Sequence, residues 1–426
     1  MNGAASAAGG RRPRWPLLVS GLAAFVLYVS TLAHQHVGDT PVYLEQIRSG
    51  ERFTKFHLLS RWLASAWIHA VAVVSPDTSP FDVVSVLCAA EGALCIGCFH
   101  ALLRRLSGLE LLPAIAAAGL ALTYSFWTQS TTFELHILPT LVFVVAALVF
   151  TRPSASPLWV GVLQALAICC HLLAASTVVV WSALFATGTG ARRARFRDVG
   201  VFLGTAIVLV LATYAAAGMP LPISQLFGAA NDGALHHRVA TGGTLSGVLR
   251  GFQQAFVSVS APRTAFVGQA GVVVMSMAFV VGTAMRRGSL QRRVPTWWAL
   301  PPLWCVAFLP LIARVEPDNP EYFLGPVAGL IAWGVMLGAD LAATSARPLL
   351  VRAVLCAAAL VFDGGLLAGN WPSAALRMRS PAGFSVGLVG DGAGGQSLVD
   401  GWGNAIQLRH GPGGRVTVKR VERSSP

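Results

Sequence analysis

The stretch ARRARFRDVGVFLGTAIVLVLATYAAA, residues 191–217, indicates the fold of this chain. Its start carries Arg192, Arg193, Arg195 and Arg197, and the apolar run that follows is long enough for a helix that crosses a bilayer. An excess of arginine beside a span marks the cytoplasmic side of a membrane protein. The stretch therefore predicts a transmembrane helix whose N-terminal end faces the cytoplasm.

The whole chain repeats this arrangement. It has 426 residues, of which 54% are hydrophobic and only 12% charged, whereas soluble domains carry about 25% charged residues. Other basic clusters lie in alternate turns, at 11–14, 104–105 and 286–293, and carboxylates such as Asp39, Glu134 and Glu321 lie in the turns between them. The cytoplasmic turns of this topology hold 16 of the 31 basic residues, and the external loops before residue 370 hold eight. The sequence predicts an all-α polytopic protein.

We predict about 10–11 membrane-spanning helices. The spans are expected near 15–33, 83–103, 111–126, 137–151, 198–217, 264–284, 296–313, 322–342 and 348–368, with a helical hairpin over 158–187 that bends near Cys170 and His171. The first run also fits a cleavable signal peptide, but the many later spans favour an uncleaved helix. Segment 57–75 is apolar but interrupted by charge, and Trp62 and Trp67 suit a helix that lies along the interface.

These spans divide the chain into four parts. Residues 1–14 form a cytoplasmic segment, and 15–190 form the part with most chemical signals, including a first external loop at 34–82. Residues 191–369 hold the remaining spans and a second external loop at 218–263, and 370–426 form a Gly-rich tail. The net charge of +13 is explained by arginines that set orientation and meet anionic lipid, so a nucleic-acid partner is not expected.

Two carboxylates near span ends are the main chemical candidates. Asp39 follows the first span in HQHVGDTPVY, residues 34–43, where it is either a solvated loop residue or a general base or metal ligand at the membrane surface. Glu134 lies in FWTQSTTFELHILP, residues 126–139, between two spans and beside His136. A carboxylate at a span edge is a functional candidate, with an interfacial acid as the plain alternative.

Weaker candidates accompany these acids. His171 is either a satisfied core residue or a partner of Glu134. Arg314 begins RVEPDNPEY, which ends at Tyr322. It could bind a lipid phosphate through bidentate hydrogen bonds, or it could anchor the helix at the interface or pair with Glu316.

These segments together resemble the class C (GT-C) glycosyltransferases, in particular a bacterial branch similar to the protein O-mannosyltransferases. The resemblance rests on an acid after the first span, Asp39, with GERFTKFHLLSRW at 50–62; on YSFWTQSTTFELH at 124–136; and on ALAICCHLLAAS at 165–176. The late segment PDNPEYFLGP fits more loosely. Where that branch usually has His-Pro-Pro-Gly, this chain has His57, Leu58 and Leu59, and His136 replaces a usual tyrosine.

The resemblance implies a GT-C bundle and a polyprenyl-phosphate sugar donor. Asp39 would take a proton from the hydroxyl of a protein, lipid or glycan acceptor, and the sugar would be transferred with inversion outside the membrane. Glu134 would join Asp39 in catalysis, and Arg314, His57, His136, His171 and Tyr322 would bind the donor phosphate or substrate. The resemblance fixes no cofactor and leaves a divalent metal open, with Asp39 and Glu134 as its ligands.

Two other functions remain open from the sequence. A transporter or lipid flippase would place charges in mid-span, where Glu91 is a candidate, and a membrane assembly factor would need neither Asp39 nor Glu134. The 29 arginines against two lysines favour a GC-rich bacterial genome and a plasma-membrane location among membrane lipids.

Overall fold

The computed structural model shows a bundle of helices and, near the C-terminus, a small antiparallel sheet. It describes residues 15–33, 40, 43–44, 47, 57–152, 155–188, 191–220, 245–258, 296–310, 312, 319–379, 387–390, 396–399, 405–410 and 416–421. The α-helices are α1 Trp15–Ser30, α2 Leu58–Val74, α3 Pro80–Ser107, α4 Leu111–Leu122, α5 Tyr124–Thr131, α6 Ile137–Phe150, α7 Pro157–Cys170, α8 Val178–Ala186, α9 Arg192–Ala216, α10 Leu245–Phe256, α11 Leu300–Ala307, α12 Leu324–Thr344 and α13 Pro348–Arg379. Three short 3₁₀ helices span Leu172–Thr177, Thr296–Ala299 and Pro320–Phe323.

The helices confirm the predicted all-α polytopic class for the chain up to the Gly-rich tail, where the described strands lie. Four segments of the described chain are long and apolar enough to cross a bilayer: Pro80–Ser107, Arg192–Ala216, Pro320–Thr344 and Pro348–Ala375. The bent pair α4–α5 makes a fifth, and α1, α2, α6, α7 and the segment 172–186 are shorter apolar helices. The span predicted at 264–284 and most of the loop at 218–263 lie outside the described residues.

Small residues allow α1 and α3 to pack closely. A Cβ on Gly21 would lie 3.3 Å from the carbonyl oxygen of Ala93, and a Cβ on Gly97 would lie 3.3 Å from that of Leu17. Small residues at such crossings are typical of membrane helices, where van der Waals contact replaces the hydrophobic driving force. This contact fixes the first span against the longest helix of the N-terminal half.

The C-terminal end of α3 is basic and is closed by a glycine. Gly108 closes the helix with a φ of 71°, a left-handed conformation that glycine adopts without strain. Arg104 and Arg105 lie in the last turn, and Arg104 forms a 2.7 Å ion pair with Glu110. Cations at a helix C-terminus are favoured by the helix dipole.

Two spans are broken at the same end of the bundle as the polar residues. The α4–α5 pair bends by 66° at Thr123, which is extended, although the sequence predicted one span over 111–126. Asn370 of α13 donates a 2.8 Å hydrogen bond to the carbonyl of Leu122, which the break leaves without a helical partner. The predicted bend near Cys170 and His171 is confirmed, since α7 ends at Cys170 and a 3₁₀ turn follows.

The outer faces of α9 and α13 are apolar and exposed. Ile207, Val208, Leu360 and Val361 are each more than half exposed. In water such surfaces would be costly, but lipid tails solvate them, so these faces suit contact with the bilayer.

The Gly-rich tail forms a four-stranded antiparallel sheet in the order β1-β2-β3-β4. Its strands are β1 Gly387–Gly390, β2 Gln396–Val399, β3 Ala405–His410 and β4 Val416–Val421. The alternating run at 416–421 forms strand β4, as its period of two indicates.

Candidate active site

The segment after α5 is held from several sides. The carbonyl of Thr131 accepts from the N–H of Ala33 at 3.0 Å, that of Phe133 accepts from the Thr40 hydroxyl at 2.7 Å, and that of Glu134 accepts from the Cys88 thiol at 3.7 Å. The first span, the first external loop and α3 therefore fix this short connection. Its acid, Glu134, is only 3% exposed. The carboxylate is thus held in the protein and does not extend into solvent.

Three histidines from separate parts of the chain form a row next to this segment. The ring of His171 lies 4.4 Å from that of His57 on one side and 4.4 Å from that of His136 on the other, measured between centroids. Tyr43 closes one end at 5.6 Å from His57, with its hydroxyl 3.3 Å from Nε2. Tyr322 closes the other end at 5.4 Å from His136.

The position of His171 follows from the break after α7. Gln164 donates to the carbonyl of Ala174 at 2.8 Å and accepts from Thr177 and Trp181 at 2.8 and 2.9 Å, so one buried amide holds the turn. The backbone N–H of Leu173 donates to Nδ1 of His171 at 3.1 Å. Nδ1 is therefore an acceptor, and the proton of the neutral ring is on Nε2.

Burial keeps the flanking histidines neutral. The pKa of His57 is lowered to about 3, mainly because the ring is desolvated by burial and further because His136 and Arg61 repel a second positive charge. Desolvation lowers the pKa of His136 to about 4. At physiological pH both rings are therefore uncharged, and they can accept a hydrogen bond or bind a metal but supply no cationic charge.

A second acid reaches the same place from the start of α12. Glu321 lies in the 3₁₀ turn Pro320–Phe323, where the Asn319 side chain accepts from the N–H of Glu321 at 3.0 Å. Ser125 of α5 donates to the Pro320 carbonyl at 2.6 Å and fixes the turn to the broken helix. One ligand atom each of Glu134, His136 and Glu321 lies within 4.8 Å of the others.

A cavity of about 40 Å³ opens beside these groups. Its polar lining includes His136, His171, Thr177, Glu321 and Tyr322, and its apolar wall includes Trp304. A volume of this size accommodates a few water molecules or the polar end of a ligand. The cavity therefore gives Glu321, His136 and His171 a place to contact substrate atoms.

Two further charged residues adjoin the cluster. Arg61 of α2 is fully buried one turn after His57, whose carbonyl accepts from its N–H at 3.1 Å. Glu91 of α3 is 8% exposed and lies three residues after Cys88, whose thiol contacts the carbonyl of Glu134. The sequence offered no partner for Glu91.

Most of the sequence-predicted residues that the structure describes come together. Glu134, His57, His136, His171 and Tyr322 all belong to the cluster, whereas Asp39 and Arg314 lie outside the described residues. From the sequence, Tyr43 and Arg61 had no assigned role, and Glu321 was only part of an acid–aromatic pair. The sequence signal that could have identified Arg61 is an arginine within an otherwise apolar segment.

Comparisons with known proteins give matches in structure only. No protein-family model matches the chain, and no curated protein does. Among solved structures, the S. cerevisiae protein O-mannosyltransferase Pmt1-Pmt2 complex bound to the sugar donor matches with a TM-score of 0.42 and 16% identity, over 48% of this chain and 33% of that one. This chain thus spans about a third of the length of that protein.

Two structures of ArnT from Cupriavidus metallidurans match over more of the chain. The form bound to undecaprenyl phosphate has a TM-score of 0.48 at 14% identity and covers 86% of this chain and 77% of that one. The apo form has a TM-score of 0.49 at 14% identity and covers 85% and 76%.

Proposed function

We propose that this protein is a membrane glycosyltransferase that moves a sugar from a polyprenyl-phosphate donor to an acceptor hydroxyl, with inversion, on the extracytoplasmic face. The observation that carries the proposal is the convergence of Glu134, Glu321 and three histidines beside one cavity, which Glu321, His136 and His171 line. Burying so many ionisable side chains costs free energy that packing alone does not require. Clusters of this kind are typical of sites that bind and transform a polar substrate.

Lengths along α3 support an outward position of the site. Cys88 contacts the segment that carries Glu134, and Arg104 lies in the last turn of the same helix. The rise of an α-helix separates these residues by about 24 Å, which approaches the thickness of the hydrocarbon core. If the arginines face the cytoplasm, the site lies at the opposite membrane edge, where a polyprenyl-linked sugar can be presented to it.

In the proposed reaction Asp39 is the base. Its chain neighbour Thr40 is buried and bonded to the residue that precedes Glu134, which supports a shared site for the two acids. The carboxylate of Asp39 takes the proton of the acceptor hydroxyl while that oxygen attacks the anomeric carbon. The bond between the anomeric carbon and the phosphate oxygen breaks from the opposite side, so the configuration inverts and the lipid phosphate leaves with the electron pair.

The departing phosphate needs donors and positive charge. The Nε2–H of His171 supplies a donor at the cavity, and the buried guanidinium of Arg61 lies one turn from His57. Arg314 remains a proposed phosphate ligand. The neutral rings of His57 and His136 contribute hydrogen bonds rather than charge.

The site draws on both halves of the predicted organisation. We propose that 15–190 is the catalytic module, since it supplies Glu134 and the three histidines, and that 191–369 completes it with Glu321 and Tyr322. The acceptor class, whether protein, lipid or glycan, is left to experiment.

The test is turnover of a defined donor. Protein purified in detergent or nanodiscs is incubated with a panel of polyprenyl-phosphate sugars, and release of free polyprenyl phosphate is followed by mass spectrometry. We expect release from at least one donor, and we expect Asp39→Asn to abolish it while the protein remains monodisperse. An Asp39→Asn protein with full turnover removes Asp39 as the base, and no release from any donor contradicts the function.

One observation favours a transporter as the second candidate. Glu91 in α3 and Asp363 in α13 are both buried acids in long apolar helices, each 8% exposed, and intramembrane acids often mark ion pathways. A transporter or flippase would retain lipid or solute movement in Asp39→Asn vesicles and lose it in Glu91→Gln or Asp363→Asn. The transferase shows the reverse dependence.

A further inference from the structure

The donor atoms at the cavity have the composition of a divalent metal site. Glu134 and Glu321 offer carboxylate oxygens and His136 offers an imidazole nitrogen, all within 4.8 Å of one another. Ligands at about 2.1 Å from an ion lie at most about 4.2 Å apart, so a shift of a few tenths of an ångström in each side chain would bring the three donors to an ion. The three residues come from two separate segments, which α5 joins through Ser125.

The neighbouring histidine indicates that an electron-rich ligand belongs in the cavity. His171 is only 7% exposed and lines the cavity. Its Nδ1 is occupied by the N–H of Leu173, so its Nε2–H is a donor, and no acceptor for it is found in the described part of the chain. A metal-bound water or a phosphate oxygen in the cavity would supply that acceptor.

We propose that Glu134, His136 and Glu321 bind one divalent first-row metal ion, such as Mn²⁺ or Zn²⁺, with its open positions facing the cavity. Three protein ligands plus an open position is the arrangement of catalytic metal sites. The ion would bind the donor phosphate and neutralise the charge that develops when it leaves. The role toward phosphate rests on the proposed function, whereas metal binding itself does not.

Metal binding can be tested without any sugar. The purified protein is stripped with chelator, titrated with Mn²⁺ and, separately, with Zn²⁺, and the bound metal is measured by calorimetry and elemental analysis. We expect one equivalent of saturable binding, which falls at least about tenfold in affinity in His136→Gln and Glu321→Gln. The matched controls are His69→Gln, on the exposed face of α2, and Asp198→Asn, at the start of α9; both should bind as the wild type does.

The wild-type protein alone can also refute the site. In its Mn²⁺ form, pulsed electron paramagnetic resonance should detect the nitrogen of one imidazole ligand, and this signal should disappear in His136→Gln. No saturable binding, no nitrogen coupling, or unchanged affinity in both variants overturns the proposal, even if one variant fails to fold. Sugar transfer in chelator would refute the role of the metal toward phosphate but keep the transferase. Metal binding without any donor turnover would keep the metal site and contradict the transferase.

Discussion

Glu134 is the residue on which most of the site depends. Its carboxylate is buried between two helices, and the proposed chemistry uses its negative charge. Glu134→Gln keeps the size and removes the charge, so we predict that sugar transfer falls at least about 100-fold while the protein remains folded. The measurement is the rate of polyprenyl-phosphate release under saturating donor.

The control is Glu110→Gln. Glu110 pairs with Arg104 near the far end of α3 and its side chain is 53% exposed, so its loss should leave the rate unchanged. Wild-type turnover in Glu134→Gln would reduce Glu134 to a structural residue. A loss of metal affinity together with the loss of rate would instead connect the two proposals.

At this scale the sequence predicted most of the site because buried polar residues are conspicuous in apolar segments. His171 and Glu134 are polar residues in or beside spans, where each needs a reason. Glu321 was harder to assign, since it lies in a polar loop where several acids are equivalent by composition. The 3₁₀ turn and the bond from Ser125 to Pro320 position Glu321 at the cavity, and the sequence does not reveal either of them.

The broken element after α7 depends on a single buried amide. Gln164 is 1% exposed and makes three hydrogen bonds that hold the turn carrying His171. Gln164→Met is close in size but leaves the indole N–H of Trp181 without its acceptor. We predict a loss of about 1–3 kcal/mol in unfolding free energy, measured by thermal unfolding in detergent.

The matched variant is Leu166→Met on the same helix. Leu166 is 41% exposed, so this change should be neutral. An unaltered melting temperature in Gln164→Met would show that the turn is held by packing and does not need the amide.

The contact between α11 and α12, close to Glu321, depends on Gly329 in α12. A Cβ there would lie 2.8 Å from the backbone nitrogen of Cys305 and 2.9 Å from the carbonyl oxygen of Pro301, so α11 would have to move. We predict that Gly329→Ala destabilises the protein by about 1–3 kcal/mol and lowers activity, because α12 follows directly after Glu321. Thermal unfolding and donor turnover are the two measurements.

Gly334, one and a half turns further along α12, is the control. Nothing lies within 4 Å of a Cβ at that position, so Gly334→Ala should be neutral or slightly stabilising because alanine favours helix. Equal behaviour of the two variants would mean that α11 and α12 are not in tight contact.

Hydropathy predicted where the helices lie, but it did not predict the break between α4 and α5. The bend at 170–171 could be anticipated because a histidine interrupts an apolar run. The bend at Thr123 could not be anticipated, since neither proline nor glycine marks it and residues far away in the sequence stabilise it. Asn370 satisfies the carbonyl of Leu122 from nearly 250 residues away, a contact that no local pattern reveals.

The distribution of charge organises the whole molecule, and the sequence alone reveals it because orientation is set by short turns. The arginines at the end of α3 and at the start of α9 mark one side. The cluster of Glu134, Glu321 and the histidines lies near the other end of α3. The membrane would therefore separate the basic turns from the site.

This separation can be measured in intact cells with single cysteines. Asp77 is exposed between α2 and α3, on the proposed outer side, and Ala191 is exposed before the arginines of α9, on the proposed inner side. We predict that a membrane-impermeant maleimide labels Asp77→Cys in intact cells and Ala191→Cys only after permeabilisation. The described native cysteines are buried or half-buried, so the unsubstituted protein sets the background. Labelling of Ala191→Cys alone in intact cells would invert the topology and place the site in the cytoplasm, where an extracytoplasmic donor could not reach it.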